Sequence, residues 1–169
     1  LYAGISALAK DTTRKVITVE DPIESSIENV QQTQVRADLS FGFANAMRAF
    51  VREDPDVILV GEIRDTETAL EALRASQTGH VVLSTLHCND TVDAVQRMLD
   101  LGVHQNSIAG ELLAVFAQRL ARRNCPSCRQ VAVPDPEILA EVFPAGAPVD
   151  FVCYAGVGCE HCSGHGTYG

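Results

Sequence analysis

Val57-Ile58-Leu59-Val60 is an unbroken run of four apolar residues closed by Gly61. A strand with one wet face alternates apolar and polar side chains, so a continuous run is covered on both faces. Such strands belong to mostly parallel sheets flanked by helices, which sets the fold class as α/β. Gly61 lets the chain leave the strand tightly. Two further runs repeat the pattern: Lys15-Val16-Ile17-Thr18-Val19, stopped at Glu20-Asp21-Pro22 by the proline, and His80 to Leu86.

Between these strands the periodicity is helical. Leu1 to Ala9 reads as a helix end, and Ser40 is placed to cap a helix from Phe41 to about Arg52, which Asp54-Pro55-Asp56 breaks. Asp65 or Thr66 caps the next helix, with Gly79 just past its end. His87-Cys88-Asn89-Asp90 leads into a helix ending near Gly102, and another runs from about Gln105 to Arg123. Residues 26 to 36 alternate weakly, as an edge strand or a hairpin. Beyond residue 124 lie five of the six cysteines and five of the seven prolines. The expected organisation is a core over 1–124 and a small module over 125–169.

A chain of 169 residues holds one ordinary core plus an appendage. Its formal charge of −9 argues against a phosphate backbone as partner, since nucleic-acid binders present basic surface. No apolar run approaches the ~20 residues of a membrane-crossing helix, and Leu1 to Ala9 lacks a basic leader and a cleavage site.

In an open parallel sheet, ligands bind at the carboxyl ends of the strands. Each of the three strands delivers polar groups there: Glu20, Asp21 and Glu24; then Glu62, Arg64 and Asp65; then His87, Asn89 and Asp90. An acid that follows four apolar strand residues, here across Gly61, suits water-mediated magnesium binding at a nucleotide's phosphates, which is the reading for Glu62. A second carboxylate on a neighbouring loop can deprotonate the attacking water; Glu24 is the candidate, with Glu20 and Asp21 behind it. Taken singly, an acid after a strand also caps helices, and a lone histidine also serves as a hydrogen-bonded core residue. Arg48 and Arg52 face either a phosphate, a neighbouring subunit or plain solvent.

The stretch Val51-Arg52-Glu53-Asp54-Pro55-Asp56-Val57-Ile58-Leu59-Val60-Gly61-Glu62-Ile63-Arg64-Asp65 resembles, without a gap, the Walker B signature of the type II secretion and type IV pilus assembly ATPases. Ile17-Thr18-Val19-Glu20-Asp21-Pro22-Ile23-Glu24 resembles that family's aspartate box, and Thr78-Gly79-His80-Val81-Val82-Leu83-Ser84-Thr85-Leu86-His87 its histidine box. The resemblance implies a partial RecA-like core of the P-loop NTPase class over 1–124. It carries Glu24 over as general base, Glu62 as the magnesium-linked acid, and His80 and His87 as links between nucleotide and subunit contact. It also implies ATP and Mg2+ as ligands, a cytoplasmic ring motor, hexameric by resemblance, and an inner-membrane platform protein as partner. An alternative reading is a non-enzymatic, zinc-stabilised module that only binds a partner.

A phosphate loop is written G-x-x-x-x-G-K-[ST], and here Lys10 and Lys15 are the only lysines, neither after a glycine. Leu1-Tyr2-Ala3-Gly4 resembles the helix that follows this loop in the family, and the final seven residues show no terminating element, so both ends read as cuts. The expectation is a fragment that neither holds ATP tightly nor turns it over alone.

Cys125-Pro126-Ser127-Cys128 and Cys159-Glu160-His161-Cys162 are two C-x-x-C knuckles thirty residues apart. Two such knuckles complete a closed tetrahedral sphere, read as structural zinc, with iron or disulfides as alternatives. Because ~45 residues hardly build a core, the metal would replace one. Cys88 and Cys153 are left over. Arg119, Arg122, Arg123 and Arg129 make a basic cluster suited to anionic headgroups, an acidic partner or simply a solvated helix end.

Overall fold

Four strands, β1 (Val16–Glu20), β2 (Val30–Gln34), β3 (Val57–Val60) and β4 (Val81–Ser84), form an all-parallel sheet in the order β2-β1-β3-β4. The computed structural model describes residues 1–168, and these divide into two units, the first Leu1–Ala117 and the second starting at Gln118. In the first unit both faces of the sheet are covered. Ile17, Val19, Ile58 and Val60 pack with Ala46, Met47 and Phe50 of α2 (Phe43–Phe50), Ala69, Ala72 and Ala75 of α3 (Thr66–Gln77), and Ile108 of α5 (Gln105–Glu111). Val16, Val57 and Leu59 point the other way, onto Ile5 of α1 (Tyr2–Leu8) and Ala9. A fully buried side chain such as Ile58 is worth about 1.5–3 kcal/mol relative to exposure. The apolar run in the sequence therefore becomes a strand with two dry faces.

Register aligns the strand exits: Val19 pairs with Val60, and Val60 with Ser84. The segment read as edge strand or hairpin is β2, a parallel edge strand against β1. Asp90 caps α4 (Thr91–Asp100) by accepting from the backbone N–H groups of Val92 and Asp93.

Two helix expectations need correction. The helix expected to start at Phe41 under a Ser40 cap begins two residues later, at Phe43, with Gly42 as its cap residue. Arg36 and Phe41 exchange backbone hydrogen bonds of 2.9 and 3.0 Å, which holds Phe41 in an isolated bridge, and Ser40 takes a left-handed turn at φ 53°. The helix expected from Gln105 to Arg123 stops at Glu111. Leu113, Phe116 and Leu120, the apolar stripe of the expected extension, are 89, 93 and 96% exposed. Without a buried face such a stripe does not hold a helix.

The second unit is built from two short antiparallel ribbons. β5 (Arg123–Asn124) pairs with β8 (Thr167–Tyr168), and β6 (Arg129–Ala132) with β7 (Cys153–Gly156). One helix, α6 (Pro136–Val142), joins β6 to β7, capped by Asp135. No helix among the described residues is long and apolar enough to cross a membrane.

Candidate functional site

Parallel register places the exits of β1, β3 and β4 side by side, and backbone bonds fasten them. The Gly61 N–H donates to the Val19 carbonyl at 2.8 Å and the Ile63 N–H to the Thr85 carbonyl at 3.0 Å. The Thr85 hydroxyl donates to the Gly61 carbonyl at 2.7 Å. A Cβ at Gly61 would sit 3.3 Å from the Val19 oxygen and 3.4 Å from the Glu20 Cα, so glycine allows the close approach of the two exits.

Glu62 stands at the centre of this rim and is buried. Its Oε2 accepts from Arg64 Nε at 2.6 Å and from His87 Nε2 at 2.8 Å, while the two donors are themselves well exposed. Burial pushes the Glu62 carboxyl up, but the hydrogen bonds and positive charge from His87 and Arg64 outweigh it and leave the pKa below the usual carboxylate value. Glu62 is thus an anion steadied on one oxygen by two donors.

Glu20, one strand away, is also buried, yet it faces different partners. Its Oε1 accepts from Thr18 Oγ1 at 2.5 Å and Gln32 Nε2 at 3.0 Å, and its Oε2 from the Tyr2 hydroxyl. The same Tyr2 oxygen accepts the Glu24 N–H at 3.0 Å. Glu24 and Asp21 lie exposed on the loop after β1. Tyr2 and Gln32 were not singled out from the sequence. Tyr2 shares one helical face with Ile5 and Ala9, which are buried on the sheet, but its partner Glu20 lies far along the chain, and no pattern in the sequence marks Gln32.

Three further candidates have definite structural partners. Asp65 is the N-cap of α3, accepting from the Thr68 N–H at 2.8 Å and the Thr68 hydroxyl at 3.1 Å. His80 precedes β4 and so sits at the amino end of the sheet, opposite the rim; its Nδ1 lies 2.9 Å from the Ala75 carbonyl oxygen and 3.1 Å from Thr78 Oγ1. The structure therefore separates His80 from His87, which the sequence grouped together. Arg48 ties α2 to α3 through Glu67 and Glu71, the latter at 3.1 Å.

In the second unit the four knuckle thiols converge, with Sγ atoms all within 4.8 Å of one another. Cys125–Cys159, Cys128–Cys162 and Cys159–Cys162 sulfurs are 3.9, 3.8 and 3.7 Å apart. Disulfide sulfurs bond at about 2.05 Å, whereas a tetrahedron of ~2.3 Å metal–sulfur bonds has edges near ~3.8 Å. The cluster can therefore hold a metal as a closed site. Cys125 and Cys162 are buried, Cys128 and Cys159 half-buried. Burial raises the Cys162 thiol, but the N–H groups of Cys159 and Gly166, at 3.3 and 3.2 Å, stabilise its thiolate and hold the pKa at about 6. Burial pushes the Cys128 thiol up to about 12. Cys88 and Cys153 are free thiols outside it.

The sequence profile of the family described as Type II/IV secretion system protein matches residues 1–169. Type II secretion system ATPase E of Vibrio cholerae is 44% identical over 169 residues, all of this chain and 33% of that protein. Type IV pilus assembly ATPase PilB of Thermus thermophilus is 46% identical over 153 residues, 90% of this chain and 17% of that protein. The X-ray structure of the Legionella pneumophila ATPase DotB superposes with a TM-score of 0.51 at 32% identity, covering 63% of this chain and 31% of that one. The chain thus spans about a third or less of the length of these relatives. With the whole sequence matched by its profile, the chain belongs to the Type II/IV secretion system protein family.

Proposed function

We propose that this chain is the water-activating half of an ATP-hydrolysing motor subunit that powers type II protein secretion or type IV pilus assembly. The observation that carries the reading is the rim itself: a buried carboxylate, Glu62, held by Arg64 and His87, beside the strand exit that leads to Glu24. Glu62 is the acid that would hold Mg2+, a fit supported by its ionised oxygen at the carboxyl end of a fully buried strand. The metal supplies charge neutralisation at the terminal phosphates. Glu24 is the general base toward the attacking water, with Asp21 beside it on the same loop; Arg64 and His87 orient Glu62 and face the nucleotide. Asp65 serves the site by starting α3, and His80 by joining the end of α3 to β4.

The chain contains no phosphate-loop motif, so by itself it neither grips ATP tightly nor turns it over. Within the full-length protein, subunits form a hexameric ring at the cytoplasmic side of the inner membrane and push on a platform protein. Nucleic acid is not a partner. Residues 1–124 act as the partial RecA-like core. Residues 125–169 act as a zinc module held by Cys125, Cys128, Cys159 and Cys162, with the neighbouring arginines available to an anionic lipid or acidic partner.

The test is Glu62→Gln in the full-length protein. Turnover with Mg2+ should fall by about 100-fold or more while the protein stays folded. Turnover at the wild-type rate would overturn the reading.

A further inference from the structure

The loop that carries Glu24 has no regular secondary structure between β1 and β2, so its backbone must be held by something other than a ladder. Two side chains hold it, and both are anchored on one buried carboxylate. The Tyr2 hydroxyl donates to Glu20 Oε2 and accepts the Glu24 N–H at 3.0 Å. Gln32 Nε2 donates to Glu20 Oε1 and to the Ser25 carbonyl, each at 3.0 Å, while Gln32 Oε1 accepts the Ile27 N–H at 2.8 Å.

The inventory of donors and acceptors closes. A phenol has one proton to give and lone pairs to accept, and Tyr2 uses both kinds. A primary amide has two N–H groups and an oxygen, and Gln32 uses all three. An ionised carboxylate only accepts, and Glu20 receives Thr18, Gln32 and Tyr2. Burial and the bond to Glu20 raise the Tyr2 pKa, which keeps its proton on the oxygen. Phenylalanine could make neither of the Tyr2 bonds, and leucine none of the Gln32 bonds. Glu20, the candidate behind Glu24 for the general base, has both carboxylate oxygens engaged by these three side chains.

We infer that Tyr2 and Gln32, braced on Glu20, are positioning residues that fix the Glu24 loop in its water-activating place. This rests on the reading of Glu24 as the general base. A base displaced by about an ångström loses on the order of 100-fold in rate, so the bracket acts on kcat and leaves nucleotide binding alone.

The test uses the full-length ATPase and the variants Tyr2→Phe, Gln32→Leu and Glu24→Gln, alone and combined. Tyr2→Phe and Gln32→Leu should each lower kcat about 10- to 100-fold with KM for ATP within about twofold of wild type. In the Glu24→Gln background neither should lower kcat further, because the group they position is gone. That loss of effect separates positioning from a general weakening of the fold, which would persist in both backgrounds. If Tyr2→Phe lowers the melting temperature sharply, Gln32→Leu on the outer edge strand carries the same comparison. Wild-type kcat in both single variants, with Glu24→Gln inactive, overturns the bracket alone. An undiminished further loss in the Glu24→Gln background also overturns it. Wild-type turnover in Glu24→Gln overturns the reading of Glu24, and the bracket with it.

Discussion

His87 Nε2 lies 2.8 Å from Glu62 Oε2 although the two residues leave different strands, β4 and β3. Since a carboxylate only accepts, His87 carries its proton on Nε2, and with Arg64 it makes the ionised form of Glu62 the favoured one.

A depressed folded pKa fixes the sign of a pH effect. The stability that Glu62 contributes is complete above its unfolded pKa of about 4.3, and it is lost as pH falls through the lower folded value. In thermal unfolding, wild type should melt above Glu62→Gln at pH 7, and the gap should close below about pH 4. A gap that is unchanged, or wider, at about pH 3 would show that Glu62 does not draw stability from its charge.

Asp65 follows the same run of letters as Glu62 but does a different job. It caps α3 through the Thr68 N–H. Asp65→Ala should cost about 1 kcal/mol, and Asp65→Asn, which keeps an acceptor, should restore most of it. In the full-length protein Asp65→Asn should keep near-wild-type ATP turnover. A turnover loss comparable to that of Glu62→Gln would instead place Asp65 among the reacting groups.

How far the letters reached follows the range of the interactions involved. Val57 to Val60 announced a two-faced strand because burial on both sides leaves no room for polar alternation, and the strand is there. The convergence of Glu62 with His87 was legible because parallel strands bring their exits together whatever lies between. What escaped were choices made by a single long-range partner. Tyr2 reads as one more helix residue until Glu20 is found across 18 positions, and His80, carried over by resemblance as a link between nucleotide and subunit contact, has the Ala75 carbonyl beside it. Likewise periodicity at Leu113, Phe116 and Leu120 announces a helix face, but periodicity does not supply a surface to cover it.

Gly156 and Gly166 cross at a point where neither can carry a side chain. A Cβ on Gly156 would fall 1.8 Å from the Gly166 carbonyl oxygen, and one on Gly166 2.2 Å from the Gly156 oxygen, with Gly166 at φ 71° besides. Backbone atoms cannot yield as a flexible side chain does. Gly156→Ala should therefore destabilise the second unit by about 1–3 kcal/mol or more. Gly110→Ala is the contrast: its Cβ meets nothing within 4 Å, it lies within α5, and it should stabilise by about 0.5–1 kcal/mol. Chemical denaturation of both variants checks the pair, and equal effects would contradict the crossing.

The cysteine cluster sets the last expectation, because the second unit has little else to hold it. Its strands are two to four residues long, and Val131, Val133, Ile138, Val142 and Val157 stay exposed, so burial alone cannot supply a core. The protein as purified should carry one zinc per chain by mass spectrometry. Chelation should strip it and raise hydrogen exchange at the Cys159 and Gly166 amides, which point at the Cys162 sulfur, while the β3 amides inside the parallel sheet stay protected. Cys128→Ser should lose the metal, whereas Cys153→Ser, outside the cluster, should keep it. Metal retained in Cys128→Ser, or lost equally in Cys153→Ser, would mean that these four sulfurs are not the ligand set.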